Sequence, residues 1–195
     1  MQTGYDVALK MAAQELETMK PEAVCARCGA LYRDGEYFIP WFGIPRALSA
    51  GNDSQRIIWM HYMLSEGAKK PSGGQSRLIA YRDMDEAIFN ETKHENLAVR
   101  PLLSYFGQQP EALLETGKLC GSRPAGLGDA SITVDVLPYM PLTFVIWAGD
   151  DEFPAQASVL FDETVKGWLC SEDVVVLGKL AVSELIQIHK NSKLT

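Results

Sequence analysis

The chain has 195 residues, of which 47% are hydrophobic and 22% are charged, and its formal net charge at pH 7 is -7. This composition is typical of a folded globular protein with a sizeable core, and the negative charge disfavours binding to nucleic acid or to an anionic membrane surface. No apolar run approaches the roughly 20 residues that span a bilayer, and the first residues lack the pattern of a secretion signal. We therefore expect a cytoplasmic protein, with no nucleic acid and no membrane among its partners.

The N-terminal segment is predicted to be helical. Apolar residues recur at helical spacing over residues 5–20, which indicates an amphipathic helix. A short second helix follows as far as Cys28, and Gly29 is well placed as its C-cap. Residues 1–30 form a predicted helical arm of a single domain that spans residues 1–195.

The next two segments are an extended run and a helix. Residues 36–42 are rich in aromatic side chains, but Pro40 cannot donate a ladder hydrogen bond, so we predict an edge strand or a bent strand. Residues 55–66 are apolar on almost every face of a helix, as is typical of a buried helix. His61 and Tyr62 lie in the middle of this helix.

Proline residues mark the helices in the middle of the chain. Residues 84–106 favour a helix in two pieces, with a break near Arg100 because Pro101 cannot join the hydrogen-bond pattern of a helix interior. Pro110 fits the first turn of another helix, which we expect to end at Leu119. The turn-rich segment that follows is predicted to be a loop.

The C-terminal half is predicted to contain three strands and a closing helix. Residues 132–137 alternate between apolar and polar, whereas 142–148 and 157–161 are almost wholly apolar. The connections between them are too short for a helical crossover, so we expect an antiparallel meander. A helix is predicted from Ser171 onward. The fold class is therefore α+β: an antiparallel β-meander packed against several helices, which form a single layer on one face, plus the N-terminal helical arm.

Three carboxylates, Asp150, Asp151 and Glu152, lie between two of the apolar runs. If these runs pair as a hairpin, the three carboxylates lie at its tip, and Asp162 and Glu163 lie at the opposite end of the second strand, roughly 15–20 Å away. Carboxylates that do not converge are a poor metal site. A solvated turn and an acidic lip that faces a ligand are both open interpretations of the tip.

His61 also has two interpretations. A lone histidine on an apolar helix is most often a neutral core residue, but a buried histidine is also the common axial ligand of a tetrapyrrole or corrinoid, here haem or cobalamin. Cys25 and Cys28 have the spacing of metal ligands but form a single pair, and Cys120 and Cys170 are isolated. Free thiols are therefore the favoured interpretation of the cysteines, and no metal ligand is predicted.

Several segments carry a resemblance to a known family. They are WMHYMLSEG at 59–67, LCG at 119–121, GDAS at 128–131 and LPYMPLTFVIWAGDDEFPAQASVLFDE at 137–163. The most specific pattern is WxGDxEFPAxxxxLFD, from Trp147 to Asp162. On these segments the chain resembles, over nearly its whole length, the DUF3786 family, a domain family of unknown function found largely in anaerobic bacteria and archaea. The resemblance implies no reaction, and it implies an anaerobic redox or corrinoid-linked setting.

Three functions are compatible with these patterns. The first is a non-enzymatic protein that binds a cofactor or a partner between the helices and the sheet, with the buried helix facing the ligand and the acidic turn at its rim. The predicted ligand-binding residues are His61, Tyr62, Trp147, Asp150, Asp151 and Glu152. The second is a carboxylate- or metal-dependent, hydrolase-like enzyme, which needs at least two of His61 and the three carboxylates within reach of one point. The third is a protein-interaction module that docks a partner through the N-terminal helices or the closing helix.

Overall fold

Helices and strands alternate along the chain, of which the computed structural model describes residues 4–65, 70 and 77–194. The helices are α1 (Gly4–Glu17), α2 (Pro21–Cys28), α3 (Asp53–Leu64), α4 (Glu91–His94), α5 (Arg100–Phe106), α6 (Pro110–Leu119) and α7 (Ser171–Ser192). The strands are β1 (Leu31–Arg33), β2 (Glu36–Trp41), β3 (Ile44–Ala47), β4 (Leu78–Ala80), β5 (Arg123–Pro124), β6 (Ala130–Leu137), β7 (Met140–Trp147) and β8 (Gln156–Asp162). The predicted α+β class is confirmed. Of the helices described, none is long and apolar enough to cross a membrane.

The larger sheet has five antiparallel strands in the order β4-β8-β7-β6-β5. Its strands β6, β7 and β8 form the predicted meander. In the β7–β8 pair, Trp147 lies opposite Gln156 at one end and Leu142 lies opposite Phe161 near the other. The residues of β7 between Leu142 and Ile146 are all buried. Because both faces of β7 are covered, its sequence lacks the polar alternation of a half-exposed strand.

A second sheet has three antiparallel strands in the order β1-β2-β3. Of the two alternatives predicted around Pro40, an edge strand or a bent strand, the edge strand was wrong, because β2 is the central strand. The last pair between β1 and β2 joins Leu31 with Phe38, so Pro40 lies beyond the end of β1. On its other side Pro40 lies opposite Pro45 of β3. A proline is tolerated here because no ladder partner stands opposite its missing N–H.

The helices form a layer over the larger sheet. α5 and α6 pack on this sheet, α7 packs on α5 and α6, and α3 packs on α7. α1 and α2 pack on α3, so the N-terminal helices lie against the rest of the molecule. One cluster of buried apolar side chains extends from Leu9 in α1 to Leu185 in α7. The contact between α3 and α7 is the one that builds the candidate site.

Residues 84–106 differ from the prediction in form. α4 and α5 are joined by a π turn at Glu95–Val99, and residues 84–90 form short turns instead of a helix. Pro101 falls in the first turn of α5, where its missing N–H costs no helical hydrogen bond. The predicted break near Arg100 was therefore wrong, because the backbone passes from the π turn into α5 in helical conformation.

Candidate functional site

His61 lies on a partly open strip of α3. A capping box between Asn52 and Gln55 fixes the first turn of this helix, and most faces of the helix are covered. The side chain of His61 is nevertheless 37% exposed. Ser54 and Ser65, which lie on the same strip at spacings of seven and four residues, are also only partly buried. The interpretation of His61 as a buried residue was therefore wrong, and this polar strip is the sequence signal that could have shown it.

His61 is paired with Asp173 in the first turn of α7. Its Nδ1 lies 2.8 Å from Asp173 Oδ2, and the Asp173 side chain is only 16% exposed. The hydrogen bond to this carboxylate raises the pKa of His61, and partial burial of the ring opposes the rise. Since Nδ1–H is donated to Asp173, Nε2 is the nitrogen available to a ligand, and it forms no hydrogen bond within the part of the chain that the structure describes.

Cys170 immediately precedes α7 and lies near the same carboxylate. Burial is the largest cause of the raised pKa of its thiol, and the negative charge of Asp173 adds to it. A thiol with a raised pKa stays protonated at neutral pH and is a poor nucleophile. The three side chains His61, Asp173 and Cys170 therefore lack the activated thiolate that a cysteine nucleophile needs.

Tyr62, the neighbour of His61, faces the interior. Its side chain is fully buried. Its hydroxyl donates to the carbonyl of Cys28 at 2.8 Å and accepts from the N–H of Tyr139 at 3.2 Å. Its ring stacks on Trp168, with ring centroids 4.7 Å apart. The hydroxyl is thus committed to the backbone, and Tyr62 ties α2 to the turn between β6 and β7.

The acidic turn lies at the tip of the β7–β8 hairpin. Asp150 Oδ1 accepts hydrogen bonds from the N–H groups of Glu152 and Phe153, at 2.9 and 2.7 Å. These hydrogen bonds lower the pKa of Asp150. All three carboxylates are exposed, and Trp147 beside them is 40% exposed. The geometry is that of an Asx turn in solvent.

The structure does not bring the acidic turn and His61 together. Tyr62, next to His61, contacts Tyr139. Met140, the residue after Tyr139, begins β7, and Trp147 ends this strand. Seven steps along a strand correspond to about 24 Å. The two predicted halves of the ligand site therefore lie at opposite ends of the sheet, and the enzyme hypothesis lacks the convergence of His61 with a carboxylate of the turn.

The other two histidines, His94 and His189, lie on polar stretches of the sequence, and both are buried in the structure. His94 and His189 are 5% and 4% exposed. The ring of His94 stacks on Tyr81 with centroids 4.6 Å apart, and it also contacts Phe161. Burial lowers the pKa of His94 to about 4. Its sequence neighbours are exposed, so the polar appearance of the stretch concealed a buried position.

The cysteines and carboxylates are dispersed. All four cysteines are free thiols, and burial raises the pKa of Cys25, Cys28 and Cys120. Within residues 4–65, 70 and 77–194, no group of three or more His, Cys, Asp or Glu side chains is placed to share a metal ion. Asp173, which the sequence analysis did not single out, is the polar partner of His61.

Fold and site together define an α+β protein with a histidine–carboxylate pair where two helices meet. A family model, described as Domain of unknown function (DUF3786), matches residues 20–184. The chain therefore belongs to this family, as the resemblance implied. The matched region includes both His61 and Asp173. The chain matches no curated protein and no solved structure at a significant level.

Proposed function

We propose that the protein is a non-enzymatic binding protein and that His61 is the side chain that contacts its ligand, a haem or corrinoid cofactor. The single observation that carries this proposal is the 2.8 Å contact between His61 Nδ1 and Asp173 on a partly exposed strip. Histidines that ligate a metal generally donate their other ring N–H to a carboxylate or a carbonyl, which orients the ring and increases its basicity. The His61–Asp173 pair has this arrangement, and Nε2 of His61 is the nitrogen that could ligate a metal.

The donor set favours a metal that is already held in a macrocycle. A bare cation needs several protein ligands around one point, and the described residues offer no such group. A tetrapyrrole or corrinoid supplies its own ring nitrogens and needs only one axial donor, which His61 can provide. The protein would position the imidazole so that Nε2 faces the cofactor. The anaerobic redox or corrinoid-linked setting and the cytoplasmic location belong to this proposal as well.

The test is visible absorption of the purified protein after incubation with haem or with a cobalamin. We expect a shifted band with one of the two cofactors, which His61→Ala abolishes while the far-UV circular dichroism stays unchanged. Asp173→Asn should weaken binding by about 10–100-fold, as is usual for the carboxylate behind a ligating histidine. Glu172→Gln removes a neighbouring carboxylate of the same turn and should leave binding unchanged. A protein that binds neither cofactor, or a band that survives His61→Ala, would disprove the proposal.

The other two hypotheses have less support. An enzyme would need reactive groups at one point, and the carboxylates of the acidic turn lie far from His61. An interaction module stays a prediction: Val7 and Met11, one turn apart on α1, are 53% and 65% exposed, and exposed apolar side chains on one helix face are what a protein partner contacts.

A further inference from the structure

A cavity lies between α1, the β1–β2 hairpin and α3. Its volume is about 360 Å³, near the lower end of the range for small-molecule sites, which is about 300–1,000 Å³. Leu16, Met19 and Met60 provide apolar walls, and the ring of Tyr32 lies at the opening, 43% exposed. A cavity of this kind suits a small ligand with an apolar body.

Two polar atoms beside this cavity are buried and have no hydrogen-bond partner among the described residues: Tyr37 Oη and Arg56 Nε. Both residues line the cavity, and Tyr37 is only 9% exposed. Buried donors without a partner are uncommon in folded proteins and destabilise them. Burial also raises the pKa of Tyr37, so its hydroxyl keeps the proton that it could donate. Two donors without a partner among the described residues, both at one cavity, fit an acceptor that a bound ligand would supply.

The charge of Arg56 is also poorly neutralised. Among the described residues, the one carboxylate within ion-pair distance is that of Asp53, and Nη1 lies 3.9 Å from Oδ1 of that residue, at the limit of an ion pair. By contrast, Arg123 binds both oxygens of Asp135 at 2.8 Å. The side chain of Arg56 is 39% exposed, and its flexible stem lets the guanidinium group turn toward a ligand. A guanidinium group pairs best with a carboxylate, through two parallel hydrogen bonds.

Glu17 restricts which anion fits. It lines the same cavity from α1, and its negative charge repels a second anionic group on a ligand. We infer that this cavity binds a small apolar monocarboxylate, with the carboxylate held by Arg56 and the Tyr37 hydroxyl and the apolar body against Leu16 and Met60. Dicarboxylates and phosphates are disfavoured by Glu17.

This cavity is independent of the His61 contact. Arg56 and Met60 are four residues apart and share one face of α3, whereas His61 lies five residues after Arg56, about 140° around the helix. Loss of binding at one site therefore leaves the other intact, so the two proposals can fail separately.

The test compares a carboxylate with its neutral amide. Purified protein is titrated with 3-phenylpropionate and with 3-phenylpropionamide, and binding is followed by calorimetry and by the methyl resonances of Leu16 and Met60. We expect saturable binding of the acid and an affinity for the amide at least about tenfold lower, because the charge-assisted hydrogen bonds are lost. Arg56→Met should abolish this difference, and Tyr37→Phe should reduce it. Arg100→Met, at an arginine that is 69% exposed outside the cavity, should leave it unchanged.

Several outcomes would overturn the inference. Equal affinity of the wild-type protein for acid and amide would show that no cation selects the ligand. A preference for the acid that survives in Arg56→Met, with circular dichroism unchanged, would place the carboxylate elsewhere. If 3-phenylpropionate, octanoate and indole-3-acetate all fail to bind at millimolar concentration, the cavity does not hold this class of ligand. Arg56→Lys, which keeps the charge but loses the two-pronged geometry, should retain an intermediate preference.

Discussion

The hydroxyl of Tyr62 offers the sharpest test of how the molecule is held together. Tyr62→Phe removes one oxygen and keeps the ring that stacks on Trp168. The lost oxygen serves two backbone groups, the carbonyl of Cys28 and the N–H of Tyr139. Neither group has another partner described along the chain. The substitution therefore leaves two backbone polar groups without a hydrogen bond while the packing stays almost the same.

The magnitude follows from the burial of these two groups. A buried polar group that loses its partner costs about 1–3 kcal/mol. Cys28 is completely buried, so its carbonyl bears the whole cost, whereas Tyr139 is only partly buried and water can replace part of the lost bond. We expect Tyr62→Phe to lower the free energy of unfolding by about 2–4 kcal/mol.

Tyr37→Phe is the matched control, since it removes a buried hydroxyl that has no hydrogen-bond partner in the described part of the chain. This variant should cost nothing or should stabilise the protein slightly, because it removes an unsatisfied polar group. Both variants are compared with the wild-type protein by urea unfolding, with the denaturant slope checked for constancy. If the two variants differ by less than about 0.5 kcal/mol, a typical error of such comparisons, the Tyr62 hydroxyl does not join α2 to the β6–β7 turn as described.

Three further predictions concern titration and close packing. Asp173→Asn should lower the pKa of His61 in an NMR titration and cost about 0.5–1 kcal/mol below pH 6.5. Because the pKa of His61 is raised in the folded state, the part of this cost that depends on the charge of His61 should disappear as pH rises through that raised value, and a cost at pH 9 equal to that below pH 6.5 would contradict the pairing. Burial lowers the pKa of His94 to about 4, so unfolding takes up a proton between pH 6.5 and 4. The free energy of unfolding should therefore fall by about 3 kcal/mol over this pH range in the wild-type protein but not in His94→Gln. Gly128→Ala would place a Cβ 2.6 Å from the carbonyl oxygen of Ile146, whereas a Cβ on Gly126, which has a similar positive φ, would have no atom within 4 Å. Thermal unfolding should show Gly128→Ala to be about 2 kcal/mol less stable than Gly126→Ala. Equal stability of the two variants would refute the close approach at Gly128.

The hydrophobic pattern alone predicted most of the secondary structure. The apolar runs of β7 and β8 and the short links between strands predicted the meander, because a short connection permits only antiparallel pairing. Pro110 and the spacing after it predicted α6 with the observed bounds. The central position of β2 could not be predicted. Pro40 fits a central strand only because β1 ends opposite Phe38, two residues before Pro40. The sequence of β2 does not show where its neighbour β1 ends.

The candidate site was also predicted only in part. The sequence pointed to α3 and to His61 as the place where a ligand binds, because a histidine in an apolar helix requires an explanation. Its partner Asp173 lies 112 residues away and carries no local mark beyond its place in the first turn of a helix. His94 is likewise buried, although its neighbours in the sequence are polar and exposed. Helical periodicity indicates which faces are apolar, and it does not indicate which neighbouring element covers each face.

By itself, the sequence determined the α+β class, the antiparallel meander, the buried helix α3 and the membership of the DUF3786 family. These properties depend on local periodicity, turn residues and the WxGDxEFPAxxxxLFD pattern, all of which are contained in short segments. Only the tertiary structure decided that His61 meets Asp173 and that the acidic turn lies at the far end of β7 from the Tyr62–Tyr139 contact. It also decided that Arg56 and Tyr37 have donors at one cavity without a partner among the described residues. Each of these depends on how α1, α3 and α7 pack, and packing joins residues whose separation along the chain carries no signal.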